Sequence, residues 1–163
     1  MKIEEEVLFL QEDFEIFENV LLLKSNSVST AARQHGSNCR NRQGDPWDSV
    51  PVTQSNVQVI AMSKSYEEFR EVFNFAKVVT PNPNSTKVEI GRKVTVRNSK
   101  TGEERTFVVG SFLTFREYSN DGTPFYSYKS PLAASVLGAE KGEQRSFVTP
   151  LGKEIQQEVL KIE

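Results

Sequence analysis

The sequence predicts an α+β protein, an N-terminal antiparallel coiled-coil helical hairpin followed by a small antiparallel β-sheet domain with one short helix. Two observations carry this reading. The spacing of apolar residues changes near residue 80, from steps of three and four to strict alternation. Gly and Pro residues between positions 44 and 51 also divide the helical half in two.

In the helical half, Phe14, Phe17 and Leu21 step by three and four, with Ile16, Val20 and Leu23 widening the stripe. Val59, Met62, Tyr66, Phe69, Phe73 and Ala76 repeat the same steps, the seam of a coiled coil. Between them stands Gly44-Asp45-Pro46-Trp47-Asp48-Ser49, then Pro51. Gly and Pro stop one helix, Asp48 or Ser49 can cap the next, and Pro51 is tolerated in a first turn. The predicted helices cover roughly residues 11–42 and 49–77, each about 40–48 Å long. The stretch from Ser25 to Gln43 is rich in Ser, Asn and Arg, so helix there is expected to be marginal by itself.

From Thr80 the pattern differs. Thr80-Pro81-Asn82-Pro83-Asn84-Ser85 reads as a linker. Val88/Ile90 and Val94/Val96 alternate with polar residues as half-buried strands do, and Phe107, Val109 and Phe112 continue the next strand. Turns are predicted at 98–102 and 120–124. A short helix is expected from Ser130-Pro131 through Leu137, stopped by Gly138. Two closing strands, about 144–149 and 154–162, flank Pro150-Leu151-Gly152. The expected division is a hairpin over 1–79 with its tip at 44–49, a linker over 80–86 and a sheet domain over 87–163.

Composition excludes classes without choosing a function. The 163 residues carry a net charge of −2, with 26% charged and 37% hydrophobic residues, as in ordinary soluble proteins. No apolar run approaches the ~20 residues of a membrane span. The acidic start lacks a signal peptide's basic region, so a reducing cytosol is the expected compartment, with no membrane partner. Cys39 and His35, one of each in the chain, stand four apart at a metal-ligand spacing with no third ligand evident.

The charges of the helical half are the informative feature. Between Glu18 and Glu67 the only carboxylates are Asp45 and Asp48, both in the predicted turn, while Lys24, Arg33, Arg40, Arg42 and Lys64 are cationic. A cationic shaft suits nucleic-acid phosphate or an acidic wall. Two acids three apart suit a hard cation such as Mg²⁺. By spacing alone the plainer readings are the commoner ones: acids as helix caps, cations as a solvated face, and Trp47 as an apolar clasp over the turn.

The second half resembles the carboxy-terminal domain of the Gre family of bacterial transcript cleavage factors. The resemblance lies in Val88-Glu89-Ile90-Gly91 with Lys93-Val94-Thr95-Val96, Thr101-Gly102-Glu103-Glu104 and Val108-Val109-Gly110. It continues in Ser130-Pro131-Leu132-Ala133, Leu137-Gly138, Lys141-Gly142-Glu143, Thr149-Pro150, Gly152-Lys153-Glu154 and Glu158-Val159-Leu160-Lys161-Ile162. The resemblance implies an FKBP-like fold for this domain, similar to FK506-binding isomerases without their activity. The first half is similar to the family's hairpin in layout, with Gly44-Asp45-Pro46-Trp47-Asp48 at the place of its acidic tip. A rival alignment placing His35-Gly36-Ser37 at the tip shifts the second helix out of register and leaves no acids there.

The resemblance implies a protein that is not itself an enzyme and that acts on bacterial RNA polymerase. When polymerase backtracks, the hairpin enters its secondary channel towards the nascent RNA 3′ end. Asp45 and Asp48 then help hold a second Mg²⁺, shared with polymerase and not stably bound alone, and the polymerase cleaves its own transcript. Arg33, Arg40, Arg42 and Lys64 are expected to contact RNA or the channel wall, the small domain to dock at the channel rim, and the protein to be a monomer. This chain departs from the family pattern at Asp48, where Glu is usual, at Ser49-Val50-Pro51 and at Leu151. If the departures near the tip prevent chelation, the expectation becomes the alternative, a channel-occupying regulator without cleavage activity. A prolyl isomerase with a hairpin is suggested by the domain fold alone, and fold does not imply function.

Overall fold

The computed structural model describes residues 5–40 and 49–163. The chain order is β1 (Val7–Leu10), α1 (Gln11–Arg40), α2 (Ser49–Asn74), β2 (Ala76–Val79), β3 (Lys93–Asn98), β4 (Glu104–Gly110), β5 (Phe125–Ser127), α3 (Pro131–Val136), β6 (Gln144–Val148) and β7 (Glu154–Ile162). The described residues form two units: residues 5–6 with 15–40 and 49–76, and residues 7–14 with 77–163.

The first unit is the helical hairpin. Glu12 and Asp13 in the first turn of α1 and Arg40 in its last are placed to suit the helix dipole. Pro51 sits in the first turn of α2, where its missing N–H is no loss. The second helix stops at Asn74, three residues before the expected end. Ala76 and Lys77, read as helical, lie instead in β2, which pairs with β1. The β-branched pair Val78-Val79 and the following Pro81 favour extended backbone, and β1 supplies the hydrogen-bonding partner.

The second unit is a five-stranded sheet in the order β5-β4-β3-β7-β6, with α3 packed against β5 and β6. Its pairs are antiparallel except β4–β5, which is parallel, a correction to the all-antiparallel expectation. The chain between β4 and β5 runs from Ser111 to Pro124, long enough for β5 to re-enter in the same direction. Alternation puts Val94, Val96, Phe107, Val109 and Val159 into one core with Leu10, Val88, Tyr128, Ala133 and Val136. The register shifts between Thr95 and Val96 against β7, where a bulge leaves one residue of β7 unpaired. Gln157 points inward and is satisfied by Ser135 Oγ, to which its Nε2 donates at 2.8 Å.

Residues 80–86, expected as a linker, are tied to this unit. Arg92 Nη1 donates to the carbonyls of Asn82 and Pro83 at 3.0 and 2.9 Å, and Ser85 Oγ donates to Glu89 at 2.7 Å. The tie explains Gly91 of the Val-Glu-Ile-Gly motif. Its φ is +90°, and a Cβ there would lie 2.3 Å from Pro81 Cγ and 2.9 Å from Leu10 Cδ2. Gly91→Ala is expected to cost about 3 kcal/mol through strain and overpacking, read as a lower urea midpoint of the sheet unit.

The turn before β5 holds a surface ion pair, Lys93 Nζ to Asp121 Oδ2 at 2.5 Å. The hydrogen bond from Lys93, helped by Ser119 and Thr123, holds the Asp121 carboxyl well below its ordinary 3.8. A carboxylate lowered on folding stabilises at pH above its unfolded value, and that contribution is lost as pH falls through the folded value. Asp121→Asn is therefore expected to make acid unfolding less steep below pH 3.8, a small effect at an exposed site, measurable by urea titration across pH.

Candidate functional site

The seam of the hairpin changes chemistry along its length. Phe17 is fully buried, with its ring 5.8 Å from Phe69 and 6.1 Å from Phe73, and Val72 is buried with them. Further along, Lys24 Nζ donates to Ser65 Oγ at 2.8 Å and lies 4.3 Å from the centre of the Phe69 ring. Then comes His35 against Ser55 at 2.9 Å, and Asn38 Nδ2 donating to the Pro51 carbonyl at 3.5 Å. Partners on α2 run backwards as those on α1 run forwards, so the helices are antiparallel. Aromatic packing holds one end and polar side chains bridge the other, as the composition of residues 25–43 implied.

Arg33, Arg40 and Lys64 are exposed on these helices. Lys24 is different, since its ammonium is held in the seam by Ser65 and Phe69. The two acids of the predicted tip, Asp45 and Asp48, lie outside the described residues, as do Arg42, Gly44 and Trp47. Among the described residues no group of three His, Cys, Asp or Glu is placed to hold a metal. His35 and Cys39 do meet, with Nε2 3.6 Å from Sγ, and Ser55 is the third member of that cluster.

The second unit offers an open apolar groove of about 450 Å³ lined by Leu8, Val79, Pro81, Val88, Ile90 and Leu137. Leu137 and Gly138, which follow α3, line one side of the groove. Ser130 caps the helix by accepting from the Ala133 N–H, and Gly138, at φ +75°, turns the chain so that its N–H donates to the Val88 carbonyl at 2.8 Å.

Sequence reasoning missed the polar cluster at the root of α1. The Asp13 carboxylate is 1% exposed. It accepts from Ser111 Oγ at 2.5 Å and from Arg116 Nε at 3.0 Å, and Ser111 Oγ accepts the Leu10 N–H at 2.9 Å. Arg116 also pairs with Glu12 and lies 4.6 Å over the Phe125 ring. The one local signal was an acid in a helix's first turn, and nothing in spacing linked it to partners about a hundred residues away.

An antiparallel helical hairpin and a curled sheet with one short helix define a two-unit α+β protein with exposed cations on its helices. The family profile "Transcription elongation factor, GreA/GreB, C-term" matches residues 82–163. The chain belongs to the GreA/GreB family of transcription elongation factors. Among similar proteins, the transcription elongation factor GreA of Mycoplasmopsis pulmonis is 43% identical over 61 residues, covering 37% of this chain and 36% of that protein. The GreA of Mesomycoplasma hyopneumoniae (strain J) is 26% identical over 145 residues, covering 87% of this chain and 86% of the relative. The solved structure of GreA factor homolog 1 (Gfh1) of Thermus thermophilus aligns over 98% of this chain and 99% of that one, at 16% identity and a TM-score of 0.43. Among the described residues no helix is long and apolar enough to cross a membrane.

Proposed function

We propose that this chain binds bacterial RNA polymerase, enters its secondary channel with the helical hairpin, and stimulates cleavage of backtracked RNA. The observation that carries the reading is the charge distribution of the hairpin. From residue 19 to residue 66 the sequence has five cations and two carboxylates, and the carboxylates are Asp45 and Asp48. The exposed Arg33, Arg40 and Lys64 supply attraction for RNA phosphate or an acidic channel wall, with Arg42 adding to them in sequence. Asp45 and Asp48 supply carboxylate oxygens, the ligand type a second Mg²⁺ at the polymerase active site takes. Their role is to stabilise that ion and orient the attacking water, while polymerase performs the bond cleavage on the RNA 3′ end. The apolar groove of the sheet unit is a surface for docking at the channel rim.

A second reading, a channel-occupying regulator without cleavage, is favoured by the shorter Asp48 and by Pro51 in the first turn of α2. The two readings separate in one experiment. A stalled, backtracked polymerase complex is incubated with and without the protein, and transcript shortening is followed over a range of Mg²⁺ concentrations. Cleavage that rises with added protein supports the first reading. Channel competition without any shortening establishes the second.

A further inference from the structure

The polar end of the hairpin holds three side chains that the proposed function does not use. Ser55 is 5% exposed, and its hydroxyl donates to the Val52 carbonyl at 3.0 Å. With its proton committed there, the hydroxyl accepts from His35 Nδ1, 2.9 Å away. Nδ1 therefore carries the imidazole hydrogen, and Nε2 presents a bare lone pair. That lone pair faces Cys39 Sγ at 3.6 Å, within reach of the S–H. Cys39 is exposed to solvent. A nucleophile, a base within reach of its proton and a third group that sets the base's tautomer is the arrangement that activates a thiol.

We propose that Cys39 is a thiol-modification site, with His35 as its general base, Ser55 as the positioning residue, and a small soluble disulfide as co-reactant. A metal reading is weaker, because only two ligands converge and no third His, Cys, Asp or Glu joins them among the described residues. An internal disulfide is excluded, because the chain has one cysteine. Two exposed cations on the same stretch of α1, Arg33 and Arg40, favour an anionic disulfide such as oxidised glutathione.

The step balances with that co-reactant alone. The Cys39 S–H proton passes to His35 Nε2 as the sulfur attacks one sulfur of the disulfide. The new S–S bond forms as the old one breaks, and the departing thiolate takes the proton back from the imidazolium. The products are a mixed disulfide at Cys39 and one free small thiol.

The test uses the full chain and oxidised glutathione at neutral pH, with mixed-disulfide formation followed by intact mass. The single cysteine makes the reading unambiguous. The folded protein is expected to react roughly tenfold faster than the same chain in denaturant, and roughly tenfold faster than His35→Ala or His35→Gln. Ser55→Ala should fall between. Added free imidazole should restore much of the rate of His35→Ala, which a merely structural histidine would not allow. A folded rate equal to the denatured rate overturns the proposal without any variant. An unchanged rate in both His35 variants, or failure of imidazole to restore His35→Ala, overturns it as well.

Discussion

Asp45→Asn and Asp48→Asn are each expected to remove most of the stimulated RNA cleavage while leaving folding nearly untouched. The two acids are the only carboxylates between Glu18 and Glu67, so no neighbour in that stretch can replace either. If they hold a second Mg²⁺, losing one removes transition-state stabilisation on the order of several kcal/mol. That corresponds to about 10²- to 10³-fold in cleavage rate. If they are only helix caps, each costs about 1 kcal/mol of helix stability and the cleavage rate stays close to that of the unmodified protein. Binding to polymerase should be retained, or tightened where repulsion from acids at its active site is relieved. Raising Mg²⁺ should partly rescue the single variants, since mass action offsets a weakened site. The measurement is transcript cleavage against Mg²⁺ for the unmodified protein and both variants. Equal rates for all three would leave the acids as caps and remove the chelation reading.

The second large effect is expected at the root of α1. Arg116→Met leaves the Asp13 carboxylate, 1% exposed, with the Ser111 hydroxyl but without its cation. Breaking a buried ion pair from one side costs about 3–5 kcal/mol, because the remaining charge stays desolvated. Arg116 is 28% exposed on its side chain, which places the expected cost at the lower end, about 3 kcal/mol. Asp13→Asn combined with Arg116→Met should recover part of the loss, since a neutral amide no longer needs a cation. Urea denaturation of both single variants and the double variant, followed by a probe in the sheet unit, measures the coupling. Additive losses would mean that Asp13 and Arg116 do not act as a pair.

The sequence was most readable where one period ran uninterrupted. Val59, Met62, Tyr66, Phe69 and Phe73 announced α2, and Val94/Val96 with Phe107/Val109 announced two paired strands, because burial on one face leaves a repeating mark. Legibility failed where the deciding partner was distant. Ala76 and Lys77 continued the helical pattern, yet β1 drew them into a strand. Asp13 left no local mark of its partners, since Ser111 and Arg116 stand about a hundred residues away in sequence. The parallel β5 could not be read from alternation, which is the same for either strand direction. For the candidate site, Arg33, Arg40 and Lys64 lie exposed on the helices as cations of the arm, while Asp45, Asp48 and Arg42 lie outside the described residues. The approach of His35 to Ser55 was not readable, since the hydroxyl stands twenty residues away on the other helix.

Residues 7–14 belong with residues 77–163, so the hairpin from residue 15 to residue 76 interrupts the sheet unit between its first strand and the rest. The host cannot complete its fold during synthesis until the inserted helices have emerged, because Ser111 and Arg116 come last to the acid that awaits them. A fragment beginning at residue 87 is therefore an amputated host, lacking β1 and Asp13, and its failure to bind a partner would say nothing about the intact unit. The minimal piece is residues 7–14 joined to 77–163 by a short flexible bridge. The same topology frees the guest to change. Two antiparallel helices that lengthen or shorten together by whole turns return the chain to the same place, so the host's closure is left unchanged.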